Sequence, residues 1–209
     1  MIWPIHPQTP EKRRVTQILD ELRKGGVLIV PTDTAYAFVC LLDAPRAIND
    51  LYRIKAMDER QHLSLLCRDV AMANHYAKNI TNVLFRFMKA HTPGPYTFIL
   101  NANRNVDRRG TGKRKEVGIR IVNHALHIAL MEQLDMPLVS TSITTPGDYF
   151  TDPADLEQEF GSQVVAVVDG GPRANEYSTV LDCTGDRIRL VRQGLGDVSE
   201  LEYQIGEED

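Results

Sequence analysis

The stretch GGVLIVPTDTAYAFVC, residues 25–40, limits the choice of fold more than any other in the chain. Two apolar runs flank the polar pentad Thr32-Asp33-Thr34-Ala35-Tyr36, and Pro31 closes the first run. Hydroxyls beside a carboxylate make a poor core, because a polar group taken out of water must find a partner or lose free energy. Val27 to Val30 therefore reads as a buried strand, the pentad as a loop it delivers, and Tyr36 to Leu42 as a second strand.

Helical and extended periods alternate on either side. Upstream, Thr9 is expected to cap a helix whose first turn takes Pro10, whose apolar stripe is Val15, Ile18, Leu19 and Leu22, and which Gly25 stops. Downstream, helices are expected near 44–56, 70–78, 82–90, 125–134 and 154–160, with strands at 63–67, from Tyr96, in EVGIRIV, at 137–140 and in VVAVVDGG. STVLDC and RIRLVRQG are joined by the hairpin signal Thr184-Gly185-Asp186. This alternation predicts an α/β fold, a single layered domain over residues 1–209 in which helices flank a mixed sheet. Polar loops follow strand ends, where open α/β sheets bind ligands.

Composition removes several function classes. A net charge of −4 argues against wholesale nucleic-acid coating. No apolar run approaches the roughly 18 residues of a spanning helix, and MIWPIHPQTP lacks the basic start and apolar centre of a secretion signal. The expected setting is cytoplasmic, with no membrane partner. Cys40, Cys67 and Cys183 are scattered and read as small core hydrophobes, and the six histidines have no metal-ligand spacing, so no metal site is expected. Arg104, Arg108, Arg109, Lys113, Arg114 and Lys115 crowd one stretch against only Asp107 and Glu116. That run reads either as a solvated loop or as a surface for phosphates or RNA, although no aromatics interleave it for base stacking.

Three cations stand where apolar residues belong. Lys55 follows Ile48 by seven residues, at the end of a buried helical stripe. Arg120 alternates with Val117, Ile119 and Ile121 in VGIRIV, so a central strand would take it out of water. Arg192 continues the face of Ile188 and Leu190. Each reads singly as a structural ion pair or a stem that carries its charge to the surface. Together, beside hydroxyl-rich loops, they point to a cleft for a small phosphate or carboxylate. The Tyr36 hydroxyl is placed on the lining or the rim of that cleft, and DGG (169–171) reads as a turn.

Over residues 8–198 the chain resembles the YrdC/Sua5 family, and its YciO-like branch in particular, through GGVLIVPTDTAYAFVC, RIKAMDERQHLSLLCRD, HTPGPYTFIL, VGIRI, PLVSTSITTPG, DGG, STVLD and RLVRQGLGD in order. The resemblance implies a YrdC/RibB-like fold, a twisted mixed sheet with a concave positive surface. It also implies the synthesis of threonylcarbamoyl-AMP from L-threonine, bicarbonate or CO2, and ATP brought with Mg2+, for the threonylcarbamoyl modification of tRNA adenosine. Carried over by position, Thr34 and Arg120 would contact the amino acid, Arg120 on its carboxylate, with Ser140 in the pocket wall. Lys55 and Ser142 would face the nucleotide phosphates, and Thr151, Thr179 and Arg192 would complete the nucleotide contacts. Lys55 and Arg120 are the expected catalytic cations.

The chain departs from the synthase pattern on the nucleotide side. The KxR motif is Lys55-Ala56-Met57 here, Arg60 being offset by three residues, and SxN is Ser142-Ile143-Thr144. Gln61 stands for an asparagine, and Leu66 where a histidine often lies. Losing one preorganised donor costs on the order of 3 kcal/mol, roughly a hundredfold in rate. The expectation is a synthase-like protein of weak or altered activity. The alternative is an RNA- or tRNA-binding protein, double-stranded RNA included, without efficient catalysis. Dihydroxybutanone-phosphate synthases have a related architecture but depend on acidic residues, which these motifs lack.

Overall fold

The computed structural model describes residues 1–56, 63–107, 115–143 and 150–199. The first half of the chain forms β1 (Ile2–Pro4), α1 (Lys12–Arg23), β2 (Leu28–Val30), β3 (Ala37–Leu41), α2 (Pro45–Ile54), β4 (Ser64–Leu66), α3 (Val70–Asn74), α4 (Asn82–His91) and β5 (Tyr96–Asn101). There follow α5 (Arg104–Asp107), β6 (Glu116–Arg120), α6 (Ala125–Met131), β7 (Leu138–Ser142), β8 (Phe150–Thr151), α7 (Pro153–Phe160), β9 (Val167–Asp169), β10 (Arg173–Ala174), β11 (Thr179–Asp182) and β12 (Arg189–Arg192).

Ten strands make one mixed sheet in the order β1-β9-β2-β3-β7-β4-β6-β5-β11-β12, and β10 pairs with β8 in a separate two-stranded sheet. The pairings β1·β9, β9·β2, β4·β6 and β5·β11 are parallel and the others antiparallel. Alternation along each strand divides the apolar side chains between two layers. On β3, Phe38 and Cys40 join the layer packed by α2, α3, α4 and α7, whereas Val39 and Leu41 join the layer packed by α1 and α6. The stripe Val15, Ile18, Leu19 and Leu22 lies wholly in the second layer, beside Leu126, Leu130 and Met131 of α6. All three cysteines are buried and unpaired in the core. Among the described residues no helix is long and apolar enough to cross a membrane.

Two local expectations are corrected. Helix α1 begins after Glu11 with no side-chain cap, because the Thr9 hydroxyl instead meets His6 Nδ1 at 2.9 Å. Strand β12 is the edge of the sheet, and all four of its residues are exposed. With a register shift at Val180/Leu181 and no further neighbour among the described residues, Arg192 is exposed, not buried as its alternation with Ile188 and Leu190 predicts. The hairpin joining β11 to β12 forms as expected: Asp182 Oδ1 accepts from the backbone N–H of Thr184 at 2.9 Å and from its hydroxyl at 2.7 Å.

Candidate functional site

The face of the sheet that carries α1 and α6 is apolar at Val39, Leu66 and Leu138, then turns polar toward β5 and β11. Ser64 stands opposite Ser140 on β7 and Gly118 on β6, and Gly118 stands opposite Ile99 on β5. These side chains floor a cavity of about 380 Å³. Gly118 keeps the floor low, since a Cβ there would lie 2.9 Å from Ser64 Oγ. Neighbouring hydroxyls brace one another, Thr97 Oγ1 meeting Ser178 Oγ at 2.7 Å.

Lys55, Arg120 and Arg192 all line this cavity, with Ser140 and Ser142, and among the described residues none of the lining is acidic. Arg120 ends β6 and is 3% exposed. Its Nη2 donates to Asp33 Oδ1 at 2.7 Å and to Thr34 Oγ1 at 3.1 Å, while its buried Nε has no hydrogen-bond partner. Burial pulls the Arg120 pKa down, Asp33 opposes that, and the nearby positive charge of Arg192 adds to it. Lys55, the first residue beyond α2, donates from Nζ to the Ser142 carbonyl at 2.8 Å. Partial burial lowers its pKa, offset in part by Glu159. Arg192 donates from Nη2 to the Ser178 carbonyl at 3.1 Å and lies over the Tyr177 ring at 4.6 Å. Among the described residues neither Lys55 nor Arg192 forms a salt bridge, so the wall keeps an excess of positive charge suited to an anion.

The pentad supports Arg120. Asp33 Oδ2 accepts from the Asn123 backbone N–H at 3.0 Å while Oδ1 holds the guanidinium. The Thr32 hydroxyl donates to the Ala35 carbonyl at 2.6 Å, which leaves it to accept from Thr34 at 3.1 Å. Protons thus run in one direction, Arg120 to Thr34 to Thr32 to Ala35, and Thr34 acts here through Arg120. Tyr36 neither lines nor rims the cavity. It is fully buried, its hydroxyl donating to the Gly171 carbonyl at 2.8 Å and accepting from the Gly170 N–H at 3.2 Å. The pentad's tyrosine therefore staples the DGG turn.

Two expected nucleotide contacts lie away from the lining. The Thr179 hydroxyl is buried and spent internally, donating to Gly196 O at 2.8 Å and accepting from Gly194 N–H at 3.0 Å. Thr151 is buried in β8 opposite Arg173. Met57, Arg60, Gln61 and Thr144 lie outside the described residues, as do Arg108, Arg109, Lys113 and Arg114, whereas Arg104 and Lys115 are exposed. Leu66 is buried in the core. Reading the sequence missed Ser64, Thr97, Tyr177 and Ser178. Gly118, a glycine inside a strand of β-formers, was the one available signal of close approach there. Among the described residues no group of histidine, cysteine or acidic side chains could hold a metal ion.

Sheet and cavity together define a layered α/β protein with a cavity lined largely by cations and hydroxyls. The chain belongs to the Sua5/YciO/YrdC family, whose model, described as "Telomere recombination", matches residues 20–194. It is 39% identical to YciO of Escherichia coli over 93% of this chain and 95% of that one. The crystal structure of E. coli YciO matches with a TM-score of 0.88, covering 96% of this chain and 98% of that one at 37% identity. A threonylcarbamoyl-AMP synthase of Chromobacterium violaceum is 29% identical over 87% of this chain and 95% of its own. P. abyssi Sua5, solved in complex with L-threonine, shares the fold at a TM-score of 0.88 and 23% identity, over 99% of this chain and 61% of that one.

Proposed function

We propose that the chain is a slow threonylcarbamoyl-AMP synthase-like protein that takes L-threonine, bicarbonate or CO2, and ATP with its Mg2+, in the tRNA threonylcarbamoyladenosine pathway. The observation that carries this reading is the convergence of Lys55, Arg120 and Arg192 on one cavity. Relatives named as threonylcarbamoyl-AMP synthases support the substrate class. In this reading Arg120 pairs with the threonine carboxylate, and Lys55, Ser142 and Arg192 face the phosphates. Threonine first adds CO2 at nitrogen to give a carbamate. A carbamate oxygen then attacks the α-phosphorus, and the bond from that phosphorus to the α–β bridging oxygen breaks, releasing pyrophosphate. The cations and the nucleotide's own Mg2+ take up the charge that builds on the phosphoryl oxygens.

Met57 and Thr144 stand where the synthase pattern has arginine and asparagine, which supports slow turnover. Threonine-dependent exchange of labelled pyrophosphate into ATP tests the proposal. Weak exchange that rises in Met57→Arg/Thr144→Asn supports it. A chain that binds neither threonine nor ATP in calorimetry overturns the substrates, and full activity in the natural sequence overturns the reading of Met57 and Thr144.

A further inference from the structure

The geometry points to a base-stacking subsite at the cavity rim, in which the Tyr177 ring and the Arg192 guanidinium receive the nucleobase of the bound nucleotide. This inference rests on the nucleotide reading above. The cavity's roughly 380 Å³ is at the small end of the roughly 300–1,000 Å³ of pockets that bury one drug-sized ligand. A nucleoside triphosphate with an amino acid is larger than one such ligand. Amino acid and phosphates fill such a space, so sugar and base must lie at its edge.

Tyr177 stands at that edge. It lines the cavity yet is 38% exposed, and it is the aromatic among the large hydrophobic side chains exposed in the described residues. Arg192 lies over its ring, with Cζ 4.6 Å from the centroid, while held on the Ser178 carbonyl at 3.1 Å, so the cation and the ring sit against each other at the rim. The backbone that follows straps them in place. Leu195 N–H donates to the Tyr177 carbonyl at 3.0 Å, and Gly194 passes so close that a Cβ would fall 2.4 Å from that carbonyl oxygen. Thr179 holds Gly194 from the other side at 3.0 Å. The glycines of RLVRQGLGD and the buried Thr179 hydroxyl, none of them lining residues, thus fix the rim from behind.

Guanidinium and phenol planes both stack on any nucleobase, through its π face and the attraction of a cation to it. The competing role for Tyr177 is to keep Arg192 aimed at the phosphates. Binding of ATP and of tripolyphosphate to the full chain, compared with Tyr177→Ala and Tyr177→Phe by calorimetry, separates the two. Tyr177→Ala is expected to weaken ATP roughly tenfold and to leave tripolyphosphate unchanged, while Tyr177→Phe matches the natural chain for both. Equal weakening of both ligands in Tyr177→Ala, or unchanged ATP affinity, overturns the subsite while leaving nucleotide binding standing. A natural chain that binds tripolyphosphate no less tightly than ATP also overturns it. If the natural chain binds neither, the nucleotide reading itself fails, and the subsite with it.

Discussion

Arg120 and Asp33, 87 residues apart in sequence, form a buried ion pair at 2.7 Å with side chains only 4% and 8% exposed. The pair joins the end of β6 to the loop that follows β2, and among the described residues it is the one buried pair whose cation lines the cavity. Removing one partner of such a pair leaves an uncompensated charge, at a cost of about 3–5 kcal/mol. Asp33→Asn is therefore expected to lower unfolding stability in urea by about that amount, and Asp33→Asn/Arg120→Met to recover much of it. An additive double variant would mean that the two charges do not compensate one another.

Arg120→Gln tests the same pair from the ligand side. If Arg120 pairs with the threonine carboxylate as proposed, deleting its charge leaves a buried carboxylate on Asp33, so threonine affinity should fall by on the order of a hundredfold, the scale of losing a charge-assisted contact of about 3 kcal/mol. Calorimetry with threonine reads this out directly. Affinity that is merely halved would place the amino-acid carboxylate elsewhere.

Gly118 and Ser64 face each other across β6 and β4, with Ser64 Oγ close to where a Cβ on Gly118 would lie. Gly118→Ala would put its Cβ 2.9 Å from Ser64 Oγ. Overpacking of this kind costs about 1–3 kcal/mol, and the added methyl also rises into the cavity floor. Stability should return in Gly118→Ala/Ser64→Gly, whereas ligand affinity should not. Recovery of both together would argue that the floor height has no bearing on the ligand.

The contrast between Tyr36 and Arg120 explains which parts were legible in the sequence. The apolar stripe of α1, the strands around the pentad and the β11–β12 hairpin rest on local periods and turn residues, and they appear where periodicity places them. Arg120 was also readable, because a charge inside an alternating apolar strand needs an explanation at that position alone. Tyr36 is different: its partners Gly170 and Gly171 lie 134 and 135 residues away, brought near by the parallel pairing of β2 with β9. Nothing local distinguishes such a staple from a pocket wall. The burial expected of Arg192 failed for a related reason, since alternation cannot tell an edge strand from a central one, although the residue does line the cavity.

Tyr36→Phe turns that correction into a measurement. Burial pushes the phenol's pKa up to about 12, so it stays protonated and makes both bonds throughout the working range. Losing them while Gly170 N–H and Gly171 O stay enclosed costs about 1–3 kcal/mol. Urea unfolding should show that loss with threonine affinity intact. A weaker threonine complex at unchanged stability would return Tyr36 to the pocket.

Acid should unfold the protein earlier than its carboxylates alone require, because of His124 and His127. Both rings are buried. His124 Nε2 meets Arg173 Nη2 at 2.6 Å, and its Nδ1 accepts from the Leu126 N–H at 3.2 Å; His127 Nε2 faces the Cys67 carbonyl at 3.2 Å. Burial is the main reason both pKa values fall to about 4; Arg173 and His127 depress His124 further, and Arg120 opposes a second charge on His127 more weakly than Cys67 O and Asp33 favour it. The unfolded chain, with histidines near 6.5, binds protons first as the pH drops. Stability from the neutral rings is therefore complete above about 6.5 and is lost on the way down to about 4, by at most about 1.4 kcal/mol per pH unit for each ring. Urea midpoints at pH 7.0, 6.0 and 5.0 should fall accordingly. His127→Gln, which removes one titrating ring, should flatten that decline even if it lowers stability at every pH, and an undiminished slope would assign the acid sensitivity to other groups.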